Sequence, residues 1–295
     1  MRLAAQRLRR PRQLFNEPGD SHEHSACFFI SHGAPSFALE PGLLGPRLKA
    51  LGEQLSSARA VLVVSPHWQT RDVRVMTTAA PETIHDFGGF APALYDLQYP
   101  AVGHPHYAAL AGRLLAEAGF AGGTDERRGL DHGAWVPLRH LLPRADVPVF
   151  QVSMPQALDS ASALRLGRAL APLRERGVML VGSGSMTHNL YEFRQSSTKA
   201  ADYAVEFTQW IRQAVLSNDL ERLVNYRQLA PHALRAHPTE EHFLPLLVAL
   251  GARTELEPAL VLDADVANGV LSMESYAWGL TNDQINTAAI DKEFT

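Results

Sequence analysis

The stretch VVSPHWQT, residues 63–70, decides how this chain is read. With the residues ahead of it, the apolar run covers 60–65 and has the β-branched composition of a buried strand. The run is expected to stop at Ser65 and turn at Pro66, presenting His67 and Trp68 beyond the strand end. Two other runs do nearly the same. ACFFI (26–30) is followed by SHG with His32, and VMLVGSGSMTHNL (178–190) ends with His188. Three dry strands that each give way to an imidazole, a common metal ligand, point to a metal site.

Around these runs, β-like segments at 26–31, 60–65, 147–153 and 178–182 alternate with segments of helical spacing at 43–56, 106–118, 158–176 and 202–217. In the third of these helical segments, arginines fill the last turns and Gly177 lies beyond them, the usual end signal. Such alternation predicts an α/β fold: a single domain with a central, largely parallel or mixed sheet flanked by helices. In open sheets of this class ligands bind at the carboxyl ends of the strands. His32, His67 and His188 would therefore converge on one sheet edge despite their separation in sequence.

The chain has 295 residues, 46% hydrophobic and 20% charged, with a formal net charge of −4. That is enough apolar material for a large core, and it gives no bulk electrostatic reason to bind nucleic acid or an anionic membrane. No apolar run reaches the roughly 18 residues needed to span a bilayer. Cys27 is the single cysteine. It sits in an apolar run as a small core residue, excludes an internal disulfide, and fits a reducing, cytoplasmic setting. Residues 1–24 are Arg-rich without the continuous apolar core of a secretory signal. They read as a loose extension that carries His22 and His24, with the catalytic domain at 25–285.

Of the 13 histidines, five stand in distinctive contexts: His32, His67, His132, His188 and His242. In HPTEEHFLPLLVALGA (237–252), Thr239 is a plausible helix cap, which would place His242 in the first turn. In GLDHGAWVPLRHLLP (129–143), Asp131 could orient His132, and Gly133 could let a substrate approach the backbone. His104 and His106 read as loop or helix-start residues, and His232 and His237 as surface positions beside prolines. The segment 84–107 is rich in Gly, Pro and aromatic residues and reads as a wall over a pocket. GSGS (182–185) lacks the spacing of a nucleophile elbow, and HPTEEH lacks the HExxH spacing.

Taken together, SHGAP, VVSPHW, TIHDFGGF, ALYDLQYPA, LDHGAW, SGSMTHNL and PTEEHFLPLLVALGA resemble the class III extradiol ring-opening dioxygenases of LigB type. The likeness is greatest to the DOPA 4,5-dioxygenase-like branch and covers roughly residues 26–275. The resemblance implies that His32, His67 and His242 bind one divalent metal, Fe(II) for turnover or Zn(II) as bound. It implies that His188 is a ligand or the acid/base, and that His132 contacts substrate. His85, Asp86, Phe87 and Tyr95 would shape the ring pocket. The implied substrates are a catechol and O₂. A zinc hydrolase or a non-enzymatic binding protein on the same fold are the alternatives. Ala34 and Val102 stand where serine and proline are common in the branch, which bears on substrate choice. The sequence sets no oligomeric state.

Overall fold

The computed structural model describes residues 24–55, 57–193, 199–281 and 283–285, so His22 and nearly all of the expected N-terminal extension lie outside the described residues. The strands are β1 (Cys27–Ser31), β2 (Ala60–Thr70), β3 (Val73–Met76), β4 (Gly122–Asp125), β5 (Val149–Pro155), β6 (Val178–Gly184), β7 (Leu260–Leu262), β8 (Val266–Ala267), β9 (Leu271–Ser272) and β10 (Ser275–Trp278). The α-helices are α1 (Leu44–Leu55), α2 (Pro105–Glu117), α3 (His132–Leu141), α4 (Ser160–Leu170), α5 (Asp202–Leu216), α6 (Leu220–Val224), α7 (Tyr226–Leu229), α8 (Ala233–Ala236) and α9 (Leu244–Ala252).

Eight strands form one sheet in the order β4-β3-β5-β2-β6-β1-β10-β7. The central β5, β2, β6 and β1 are parallel, and the antiparallel β10 and β7 close one side. The sheet is therefore mixed around a parallel centre. β1 is buried along its whole length, as expected of a central strand covered on both faces. α9 is buried at every residue, so its uniformly apolar sequence places it inside, packed between β6 and α4. Each large aliphatic or aromatic side chain taken out of water there contributes about 1.5–3 kcal/mol.

Three sequence expectations are corrected. β2 does not stop at Ser65 but continues to Thr70. Its parallel register with β5 jumps between Val64 and Gln69, so Ser65–Trp68 form a wide bulge that lifts His67 off the ladder. The helix expected across 158–176 is α4, capped by Asp159, followed by a 3₁₀ turn at 171–176. Pro172, which lacks an N–H, enters that turn. Thr239 caps nothing: α9 begins at Leu244, and the Thr239 hydroxyl bonds Glu241.

Candidate metal centre

Because β1, β2 and β6 are mutually parallel, their carboxyl ends share an edge, and the backbone ties the histidine segments together there. The His32 N–H donates to Gly184 O at 2.9 Å, the Ser185 N–H to His242 O at 2.9 Å, and the His188 N–H to Ala236 O at 2.8 Å. The approach of the His242 segment to β6 depends on a missing side chain. A Cβ on Gly184 would lie 2.3 Å from His242 O. GSGS is thus neither a nucleophile turn nor a phosphate loop. It is the end of a strand cleared so that another segment can lie on it.

His32, His67 and His242 converge, with one nitrogen of each within 4.8 Å of the others. Hydrogen bonds determine which nitrogen is bare. The Ser183 hydroxyl donates to Gly133 O, so its oxygen accepts from His32 Nδ1, 2.9 Å away. His32 therefore carries its hydrogen on Nδ1 and leaves Nε2 open. His242 Nδ1 lies 3.0 Å from Glu241 Oε1, a carboxylate that can only accept, while His242 Nε2 is buried without a hydrogen-bond partner. His67 Nε2 faces His32 Nε2 at 3.2 Å. Facing imidazole lone pairs at that distance repel unless a proton or a cation lies between them. Neutral nitrogen donors with hydrogen-bonded far sides are the donor set of a transition-metal site, so these residues fit a bound divalent ion.

Burial also keeps the imidazoles neutral. It pushes His32 and His242 well below the ordinary histidine value, with neighbouring histidines adding to the effect. Burial brings His67 and His188 down to about 4. His188 does not share the three-histidine group. It stacks on His242 and forms a separate cluster with His242 and Glu241. Burial thus favours the unprotonated form of His188 at neutral pH and makes it a weaker base than free imidazole.

His132 opens α3, and Asp131 is the helix cap. The expected partnership between them is absent. Asp131 Oδ1 accepts from Ser65 Oγ at 2.7 Å and Ala134 N at 3.2 Å, and Oδ2 from Arg128 Nη2 at 2.8 Å. Asp131 thereby anchors the bulge carrying His67. Asp86 meets His132 instead, accepting from its backbone N–H at 2.8 Å. Gly133 serves packing rather than substrate approach, since a Cβ there would lie 2.4 Å from Ser65 Oγ and 2.9 Å from His67.

A cavity of about 380 Å³ opens beside these histidines, lined by His32, His67, His132, His188 and His242. Its apolar wall includes Phe87, Phe90, Leu190, Phe193 and Leu271. Of the loop residues expected in the wall, Phe87 is there. His85 and Tyr95 are not among the lining residues: both pack against Phe87, and His85 Nε2 bonds Leu97 O at 2.9 Å. Ala34 lines the cavity, whereas Val102 does not and is exposed. His237, expected at the surface, is fully buried with Nε2 on Met186 O, and burial brings it down to about 3. His104 is the cap of α2, and His232 pairs with Glu206. Sequence reading missed Ser183 as a histidine partner and the bulge, and it left Glu240 and Glu241 open as ligands or outer acceptors, of which Glu241 meets His242. The signal for Ser183 was present in its place on a strand beside two glycines.

An edge-of-sheet histidine cluster beside an aromatic-walled cavity fits the class of metal-dependent α/β enzymes. The family model "Catalytic LigB subunit of aromatic ring-opening dioxygenase" matches residues 43–266, and the chain belongs to this family. It is 40% identical over 267 residues to a 4,5-DOPA dioxygenase extradiol of Beta vulgaris, covering 89% of this chain and 100% of that one. It is 38% identical over 257 residues to the protein of the same description in Escherichia coli (strain K12), covering 86% and 94%. The crystal structure of an uncharacterized protein of Escherichia coli K12 superposes with a TM-score of 0.72 at 31% identity, covering 86% of this chain and 99% of that one. The class expected from the motifs, an extradiol aromatic ring-opening dioxygenase, is borne out. Among the described residues no helix is long and apolar enough to cross a membrane.

Proposed function

We propose that the chain opens the ring of a DOPA-like catechol with O₂ at one metal ion held by His32, His67 and His242. The observation that carries this reading is the convergence of three imidazoles, two buried with their outer nitrogens hydrogen-bonded and one half-buried, on an aromatic-walled cavity. A redox-active divalent ion with open positions, Fe(II) for turnover, would bring catechol oxygens and O₂ together, whereas Zn(II) would occupy the same donors without redox cycling.

The residues around it have separable tasks. His188 is unprotonated at neutral pH and borders the cavity, so an imidazole nitrogen accepts the proton of a catechol hydroxyl and later returns it. His132, which also lines the cavity, hydrogen-bonds the substrate or the bound oxygen. Phe87, Phe90, Phe193 and Leu271 clamp the ring and exclude water. Residues 25–285 are read as the catalytic domain, and the single buried thiol fits a cytoplasmic setting.

The test is oxygen uptake after anaerobic loading with Fe(II), with L-DOPA and simple catechols as substrates and zinc-loaded protein as control. Iron-dependent uptake with a yellow ring-opened product is expected. Activity unchanged when iron is removed and zinc retained would count against the iron assignment.

A further inference from the structure

The sequence places Asp86 in the pocket wall, but in the structure it is not among the cavity-lining residues and its carboxylate faces the histidines from behind. Oδ1 accepts the His132 backbone N–H at 2.8 Å, at the positive end of α3, and lies 3.0 Å from His132 Nδ1. Oδ2 lies 3.7 Å from His67 Nδ1. The two rings are themselves in contact, centroids 3.9 Å apart. The 3.0 Å approach is off the N–H axis and the 3.7 Å one is too long, so neither is a finished hydrogen bond. Yet His132 Nδ1 is buried and hydrogen-bonded to nothing else, so its only recourse is this carboxylate. Asp131, the acid adjacent in sequence, is occupied by Ser65, Arg128 and Ala134.

We propose that Asp86 is a positioning residue shared by His67 and His132. Its carboxylate takes the Nδ1 hydrogen of both rings, so that both Nε2 atoms are bare, one toward the metal and one toward the substrate. A single charge thereby fixes the orientation of one metal-binding side and one substrate-binding side of the site. The inference rests on the reading of His67 as a ligand. Glu241 and Ser183 do the corresponding work for His242 and His32, and Asp86 completes the set of outer partners that metal-bound histidines ordinarily have.

The test uses the full chain stripped of metal. Zinc(II) affinity is measured by chelator competition, stoichiometry by titration, and histidine tautomers by ¹⁵N resonance of the metal-free protein. The variants are Asp86→Asn, Asp86→Glu and His67→Ala, each with its thermal melt. Asp86→Asn is isosteric and can still accept from the His132 backbone N–H. It is expected to weaken zinc binding by about 10–100-fold at unchanged stoichiometry, and to spread His132 over both tautomers. Asp86→Glu is expected to recover part of the affinity. Unchanged affinity and tautomers in Asp86→Asn, with His67→Ala losing zinc, overturn the role of Asp86 alone. Full zinc affinity in His67→Ala overturns the ligand reading beneath it. Two zinc ions per wild-type chain and one in Asp86→Asn would make Asp86 a ligand, which also overturns a positioning role.

Discussion

His188 lies flat against His242, with ring centroids 3.4 Å apart and planes 9° from parallel. The stack presents His188 to the cavity while the converging group draws on His242, His32 and His67. The two residues should therefore separate in their phenotypes. His242→Ala is expected to abolish metal binding. His188→Ala is expected to keep bound metal while turnover falls by about 10²–10⁴. Metal content and oxygen uptake measured on the same preparations check this, and metal loss in His188→Ala would make it a ligand.

Ser183 spends its hydroxyl hydrogen on Gly133 O and so fixes the hydrogen of His32 on Nδ1. Ser183→Ala leaves that buried N–H without its acceptor and frees the ring to turn. A loss of metal affinity of about 10–100-fold is expected, read by chelator competition. The fold should persist, because the change removes one oxygen and adds no volume.

Gly184 tests the clearance on β6. An alanine Cβ would meet His242 O at 2.3 Å and approach Phe29 and Pro245 at 3.2 Å. Backbone cannot yield as a side chain can, so Gly184→Ala is expected to destabilise by about 1–3 kcal/mol or more and to displace His242. A lowered denaturation midpoint together with weakened metal binding is the expected pair. An unchanged midpoint would refute the close approach.

His237 gives a pH dependence away from the metal ligands. Its folded value is depressed to about 3 by burial, against an ordinary value of 6.5. Between those values the unfolded chain binds a proton that the folded chain refuses, so stability rises with pH across the window. The stabilising share is fully present above about 6.5 and is lost as pH falls toward 3. Urea unfolding of the metal-free protein at pH 7 and pH 5 should show lower stability at pH 5. His237→Gln should reduce the difference, and an equal difference would show that His237 does not contribute.

The sequence carried the α/β class, the parallel strands ending in histidines, and the family to which the chain belongs. It did so because apolar runs and helical spacing are local signals, and because His32 follows β1 directly and His188 lies in the short segment just past β6. It misread the neighbours of these residues. Asp131 was the obvious partner for His132 by adjacency, yet helix geometry turns its carboxylate toward Ser65 and Arg128. Likewise His237 looked like a surface residue beside a proline, whereas packing against Phe243 and Phe207 buries it.

What the chain determined by itself was the order of its elements and the kinds of side chain delivered to one sheet edge. What only the tertiary structure decided was which atoms meet there. The bulge at Ser65–Trp68, the Ser183–His32 and Asp86–His132 contacts, and the seat of His242 on Gly184 join residues dozens to hundreds of positions apart. A propensity or a period describes a residue among its sequence neighbours. Hydrogen-bond direction and close packing depend on the distant segments folding beside it.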